Sequence, residues 1–105
     1  MTNEVKAEGF AYSAATRDWT ERVEYVAKDR VERTDRFVEE AIELAQAAGA
    51  SKDRVLSLID YVYGRPVGNA GQEIGGVMCV LSALAGCLGY DMDSCARREL
   101  RSIHA

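Results

Sequence analysis

Arg30-Val31-Glu32-Arg33-Thr34-Asp35-Arg36-Phe37-Val38-Glu39-Glu40-Ala41-Ile42-Glu43-Leu44-Ala45-Gln46-Ala47-Ala48-Gly49 carries the clearest periodicity in the chain. Val31, Val38, Ile42 and Ala45 recur on one side at helical spacing, with Phe37, Ala41 and Leu44 beside them. That pattern predicts a helix from about Arg30 to Ala48, stopped by Gly49 as a C-terminal cap. Downstream, Ser51 is placed to cap a second helix from about Lys52 to Tyr63, whose apolar stripe is Val55, Leu58, Ile59 and Val62. Gly64-Arg65-Pro66-Val67-Gly68-Asn69 reads as a loop, because Pro66 disfavours helix at Arg65. A helix from about Ala70 to Leu88, ended by Gly89, comes next, and Asp91 is placed to cap a last one through Ser102. Upstream, Trp19, Val23 and Val26 suggest a helix from about Arg17 to Lys28. Residues 1–15 read as a flexible arm that Phe10, Tyr12 and Trp19 can dock. There is no strand-like alternation of useful length and no internal repeat. The expectation is all-α: a four- to five-helix bundle in a single domain over residues 16–105.

Composition narrows the function classes. The chain has 105 residues, 13 Lys plus Arg against 17 Asp plus Glu, and a net charge of −4. A nucleic-acid binder usually shows a basic excess, so none is expected as partner. One histidine, His104, stands next to the C-terminus. Mechanisms that need histidine as base or metal ligand are thereby nearly all removed, and carboxylates are what remains for chemistry. The three cysteines, Cys79, Cys87 and Cys95, lack C-x-x-C spacing and read as small apolar residues in a reducing compartment. The polar N-terminus, MTNEVKAEGF, shows no signal peptide, so a cytoplasmic location is expected.

Ile74 to Tyr90 is a run of 17 residues without a charge. It is short for a bilayer, carries Gly75, Gly76 and Gly86, and lacks a basic flank at its start, so no membrane partner is expected. On a helix, Gly75, Gly76, Cys79, Ser82, Ala83 and Gly86 share one side, and Val77, Leu81, Leu84 and Leu88 the other. Such a helix is expected to be central and buried, closely approached by a neighbour.

Glu39, Glu40 and Glu43 fall within an arc of roughly 100° on the first helix, away from its apolar stripe. Glu40 and Glu43, three apart, can reach one ion, and a divalent cation relieves their mutual repulsion. Mg²⁺ suits carboxylate oxygens and keeps room for water and phosphate. The bland alternative is a solvated glutamate-rich face. Glu73 adds weight, as the one acid heading an uncharged helix, although a favourable charge at a helix N-terminus accounts for it too.

Glu39-Glu40-Ala41-Ile42-Glu43 followed by Glu73-Ile74-Gly75-Gly76 resembles the E-E-x-x-E and E-x-x-D pattern of the all-α nucleoside triphosphate pyrophosphohydrolases, the MazG-like group. Arg36-Phe37-Val38-Glu39-Glu40, Gly64-Arg65-Pro66-Val67-Gly68 and Gln72-Glu73-Ile74-Gly75-Gly76-Val77-Met78 look like the short bacteriophage members, and the resemblance covers about residues 30 to 90. The chain departs from the pattern in two places. Gly76 stands where the family has its aspartate, and the spacer between Glu43 and Glu73 is a little long at 29 residues.

The resemblance implies hydrolysis of a (d)NTP between the α and β phosphates, giving a monophosphate and pyrophosphate, with Mg²⁺ as cofactor and Mn²⁺ as substitute. Some phage members, the MazZ type, trim purine dNTPs such as dGTP and dATP. Glu40, Glu43 and Glu73 are the candidate metal ligands, and Glu39 the candidate to orient or deprotonate the attacking water. Arg65, Arg97, Arg101 and Lys52 are candidates for the phosphates. Trp19, Phe37, Tyr61 and Tyr63 are either core residues or base stackers. A homotetramer built as a dimer of dimers is implied, and the apolar faces of four or five short helices give an independent reason for self-association. The competing reading is a non-catalytic helical oligomerisation module, favoured by the missing acid at Gly76.

Overall fold

A computed structural model of the chain describes residues 29–104, with the side chains of residues 103 and 104 left aside. The expected arm, the helix from Arg17 to Lys28 and Trp19 lie outside the described residues. Within them the fold is all-α: α1 (Arg30–Ala47), α2 (Lys52–Tyr63), α3 (Ala70–Cys87) and α4 (Met92–His104), with no strand. The chain divides into two units, residues 1–40 and 41–105, and the boundary falls inside α1.

Short polar side chains start all four helices in the same way, by accepting a hydrogen bond from the backbone N–H three residues on. Asp29 Oδ1 accepts from Glu32 at 3.1 Å, Ser51 Oγ from Arg54 at 3.1 Å, Asn69 Oδ1 from Gln72 at 3.0 Å and Asp91 Oδ2 from Ser94 at 2.9 Å. Ser51 and Asp91 act as expected; Asp29 and Asn69 are two further caps. Asp91 Oδ2 also accepts from the Ser94 hydroxyl at 2.8 Å. That bond first, then the one from the Ser94 N–H, and last the nearby Arg97 charge, hold the Asp91 carboxyl below its ordinary value.

Two helices end in Schellman turns. Gly49 has φ +99, its N–H donates to Gln46 O at 3.0 Å, and the Ala50 N–H donates to Ala45 O at 2.9 Å. Gly89 has φ +83, and the matching bonds run from Gly89 to Gly86 O at 3.1 Å and from Tyr90 to Ala85 O at 2.8 Å. Both glycines sit where an L side chain is strained, which is why these stops were readable.

The Gly89 turn lets α4 pack back on α3, the principal helix–helix contact among the described residues. Leu81, Leu84 and Ala85 of α3 are half-buried, as are Met92, Ala96 and Leu100 of α4, spaced by four along one stripe. The expectation of a buried central helix fails here. No described residue is buried, and on α3 Ile74 and Val80 are each 67% exposed. The physical reason is that an apolar stripe is covered only where another helix faces it, and among the described residues α4 faces only part of α3. Among the described residues, nothing lies within 4 Å of a Cβ built on Gly75, Gly76 or Gly86, and the small-residue side of α3 is open to that extent.

Candidate functional site

Glu39 and Glu40 lie mid-way along α1 and are exposed. Arg36 forms ion pairs with both: Nη1 with Glu39 Oε1, and Nη2 with Glu40 Oε1 at 4.0 Å. These are the i,i+3 and i,i+4 positions of one helix surface, where opposite charges meet. Exposed pairs of this kind contribute only about 0.2–1 kcal/mol, so either carboxylate is readily released. Glu43 is also exposed, one turn beyond Glu40 on the same helix.

Glu73 occupies the first turn of α3, set by the Asn69 cap. Its carboxylate lies against the backbone of Gly68: a Cβ there would be 3.4 Å from both Cδ and Oε2. Glu73 lines a surface cleft of about 680 Å³ with Val62, Tyr63, Arg65, Pro66, Val67, Gly68 and Ala70. The loop expected around Pro66 therefore forms one wall, and the last turn of α2 and the first of α3 supply the rest.

Arg65 is the basic residue of this cleft. Its guanidinium carbon stands 4.3 Å from the centre of the Tyr61 ring. Among the described residues no carboxylate pairs with it. Lys52 opens α2, and Arg97 and Arg101 lie four apart on α4; all three are exposed. The cleft thus joins Arg65 and Glu73 of the expected site residues. Among the described residues no group of three acidic, cysteine or histidine side chains is close enough to hold one ion. Phe37, Tyr61 and Tyr63 are 51%, 61% and 86% exposed, so none is a core residue in the single chain.

Three features went unread in the sequence: the Arg36 bridge to two glutamates, the Tyr61–Arg65 stack, and the fit of Glu73 against Gly68. The first two had a signal, since Arg36 with Glu39 and Glu40, and Tyr61 with Arg65, stand at helical neighbour spacings. The third depends on the loop path and had none.

Glu40, Glu43 and Glu73 each offer carboxylate oxygen, the donor type a hard cation such as Mg²⁺ takes, but among the described residues no three such side chains are gathered around one point. Compared with known protein families, curated proteins and solved structures, the chain matches none.

Proposed function

We propose that the chain is a Mg²⁺-dependent nucleotide pyrophosphohydrolase that converts a (d)NTP to the monophosphate and pyrophosphate. The observation that carries this reading is the cleft in which Glu73, at the head of α3, faces the same space as Arg65 on the Gly/Pro loop. It joins the second acidic element of the MazG-like pattern to a cation suited to phosphate. The Glu39-Glu40-x-x-Glu43 run of α1 carries the other carboxylates of that pattern.

Glu40, Glu43 and Glu73 are the residues that would hold the cation on the MazG-like pattern. When bound, Mg²⁺ or Mn²⁺ neutralises phosphate charge and acts as a Lewis acid toward phosphoryl oxygens. Arg65 donates to phosphate oxygens and fixes the chain of phosphates in the cleft, with Arg97, Arg101 and Lys52 as further cations. Glu39 leaves Arg36 to accept the proton of the attacking water. A purine dNTP such as dGTP or dATP is the proposed substrate within phage-type nucleotide metabolism, in the cytoplasm, with neither nucleic acid nor membrane as partner.

Self-association is part of the proposal. The open side of α3 and the uncovered stripes of α1 and α2 support a homotetramer, a dimer of dimers, in which copies of the chain cover one another. The second reading, a helical assembly module without turnover, draws on the same open faces and on Gly76 in place of an aspartate. Incubation with a panel of standard and modified dNTPs and Mg²⁺ or Mn²⁺ separates the two. Release of monophosphate and pyrophosphate supports the enzyme; no turnover on any member defeats it.

A further inference from the structure

We propose that Tyr61 is the positioning residue for Arg65, holding the guanidinium at the cleft so that it meets the phosphates of the substrate; this rests on the nucleotide reading above. Arg65 follows the last turn of α2 on a loop with Gly64 behind it and Pro66 ahead. A long side chain leaving such a loop samples many rotamers, and ordering them opposes binding. The Tyr61 ring, one turn back, removes that freedom by taking the planar cation on its face at 4.3 Å. The ring does so without competing for the charge. A carboxylate in the same place would neutralise the guanidinium and occupy its N–H groups, whereas a π face leaves the edge donors free for an anion. Among the described residues no carboxylate takes that place. Tyr61 itself is not among the residues that line the cleft, while Arg65 and Glu73 are. Its part is therefore exerted through Arg65 and not by stacking on the base.

The test is a double-mutant cycle on the full chain, read by calorimetric titration with inorganic tripolyphosphate in Mg²⁺ and by steady-state kinetics on the dNTP turned over fastest. Tyr61→Leu is expected to raise Kd and KM about two- to fivefold, with kcat changing less than about twofold, the range of an exposed cation–π contact. Tyr61→Phe, which keeps the ring face, restores the wild-type values. In an Arg65→Ala background Tyr61→Leu has no further effect. Tyr61→Gln, a second variant without the ring, reproduces Tyr61→Leu, and circular dichroism shows unchanged helicity in both. An undiminished effect of Tyr61→Leu in the Arg65→Ala background overturns the proposal, as does a Tyr61→Phe protein that behaves like Tyr61→Leu. A wild-type chain that turns over dNTPs but is indifferent to Tyr61→Leu refutes the inference and leaves the enzyme reading standing. A wild-type chain that neither binds tripolyphosphate nor turns over any nucleotide refutes both.

Discussion

A Cβ placed on Gly68 would lie 3.4 Å from both Cδ and Oε2 of Glu73, so the carboxylate at the head of α3 rests on a bare backbone. One methyl fits there at ordinary contact distance, and the further methyls of a branched side chain crowd the carboxylate. Gly68→Ala is therefore expected to keep activity within about twofold, while Gly68→Val moves the Glu73 carboxylate. The measurement is the Mg²⁺ concentration giving half-maximal rate. It should rise several-fold in Gly68→Val and stay put in Gly68→Ala.

The metal-ligand assignment makes Glu43→Gln and Glu73→Gln inactive with helicity intact, because the change keeps size and removes the charge that holds the ion. Either variant running near the wild-type rate at limiting Mg²⁺ would show the assignment to be wrong. Glu39→Gln should lower turnover more than metal affinity. If it binds Mg²⁺ poorly instead, Glu39 is itself a ligand.

Helix ends give a separate set of stability predictions. Asn69→Ala removes the acceptor for the Gln72 N–H and should cost about 1 kcal/mol. Gly49→Ala, at φ +99 with nothing within 4 Å of the added Cβ, isolates the backbone cost of that conformation, about 1 kcal/mol. Chemical denaturation of the three proteins checks both figures.

Acidification should loosen the start of α4. The folded-state pKa of Asp91 lies below its ordinary value of 3.8 because Ser94 donates two hydrogen bonds to the carboxylate. A lowered pKa means stability that is present above the unfolded value and lost as the pH falls through the folded one. Asp91→Asn should flatten the acid limb of a stability profile below pH 3.8. A limb of unchanged slope would remove Asp91 as its source.

The helices themselves were legible in the sequence, for physical reasons seen at particular residues. Gly49 and Gly89 stop helices through positive φ, and Ser51 and Asp91 cap them through a short side-chain acceptor. Asn69 belongs by composition to a Gly/Pro loop and yet is a cap, since a turn and an N-cap favour the same residue types. What covers α3 was not legible. The run from Ile74 to Tyr90 shows how much apolar surface the helix carries, but not whether a neighbour in the same chain or in another copy meets it. Gly76 illustrates this. Smallness there suggested a close neighbour, yet the space around it is open among the described residues. Gly76→Leu is accordingly expected to leave the helix formed and to break the proposed tetramer, seen by light scattering. A wild-type chain that stays an 11.5 kDa monomer at micromolar concentration would contradict the assembly. In the candidate site, the glutamate spacing on α1 was readable because a helix repeats regularly. The cleft that joins Arg65 and Glu73 was not, because it depends on how the loop between them folds.

The most direct measurement is a phosphorus NMR time course of the wild-type chain and of Glu73→Gln, side by side, with dGTP, dATP and the other dNTPs in Mg²⁺. The account predicts that the wild type produces nucleoside monophosphate and pyrophosphate in equal amounts, with no orthophosphate, and that Glu73→Gln produces neither. A wild-type chain that leaves every nucleotide intact, or a Glu73→Gln chain that works as fast as the wild type, would contradict it.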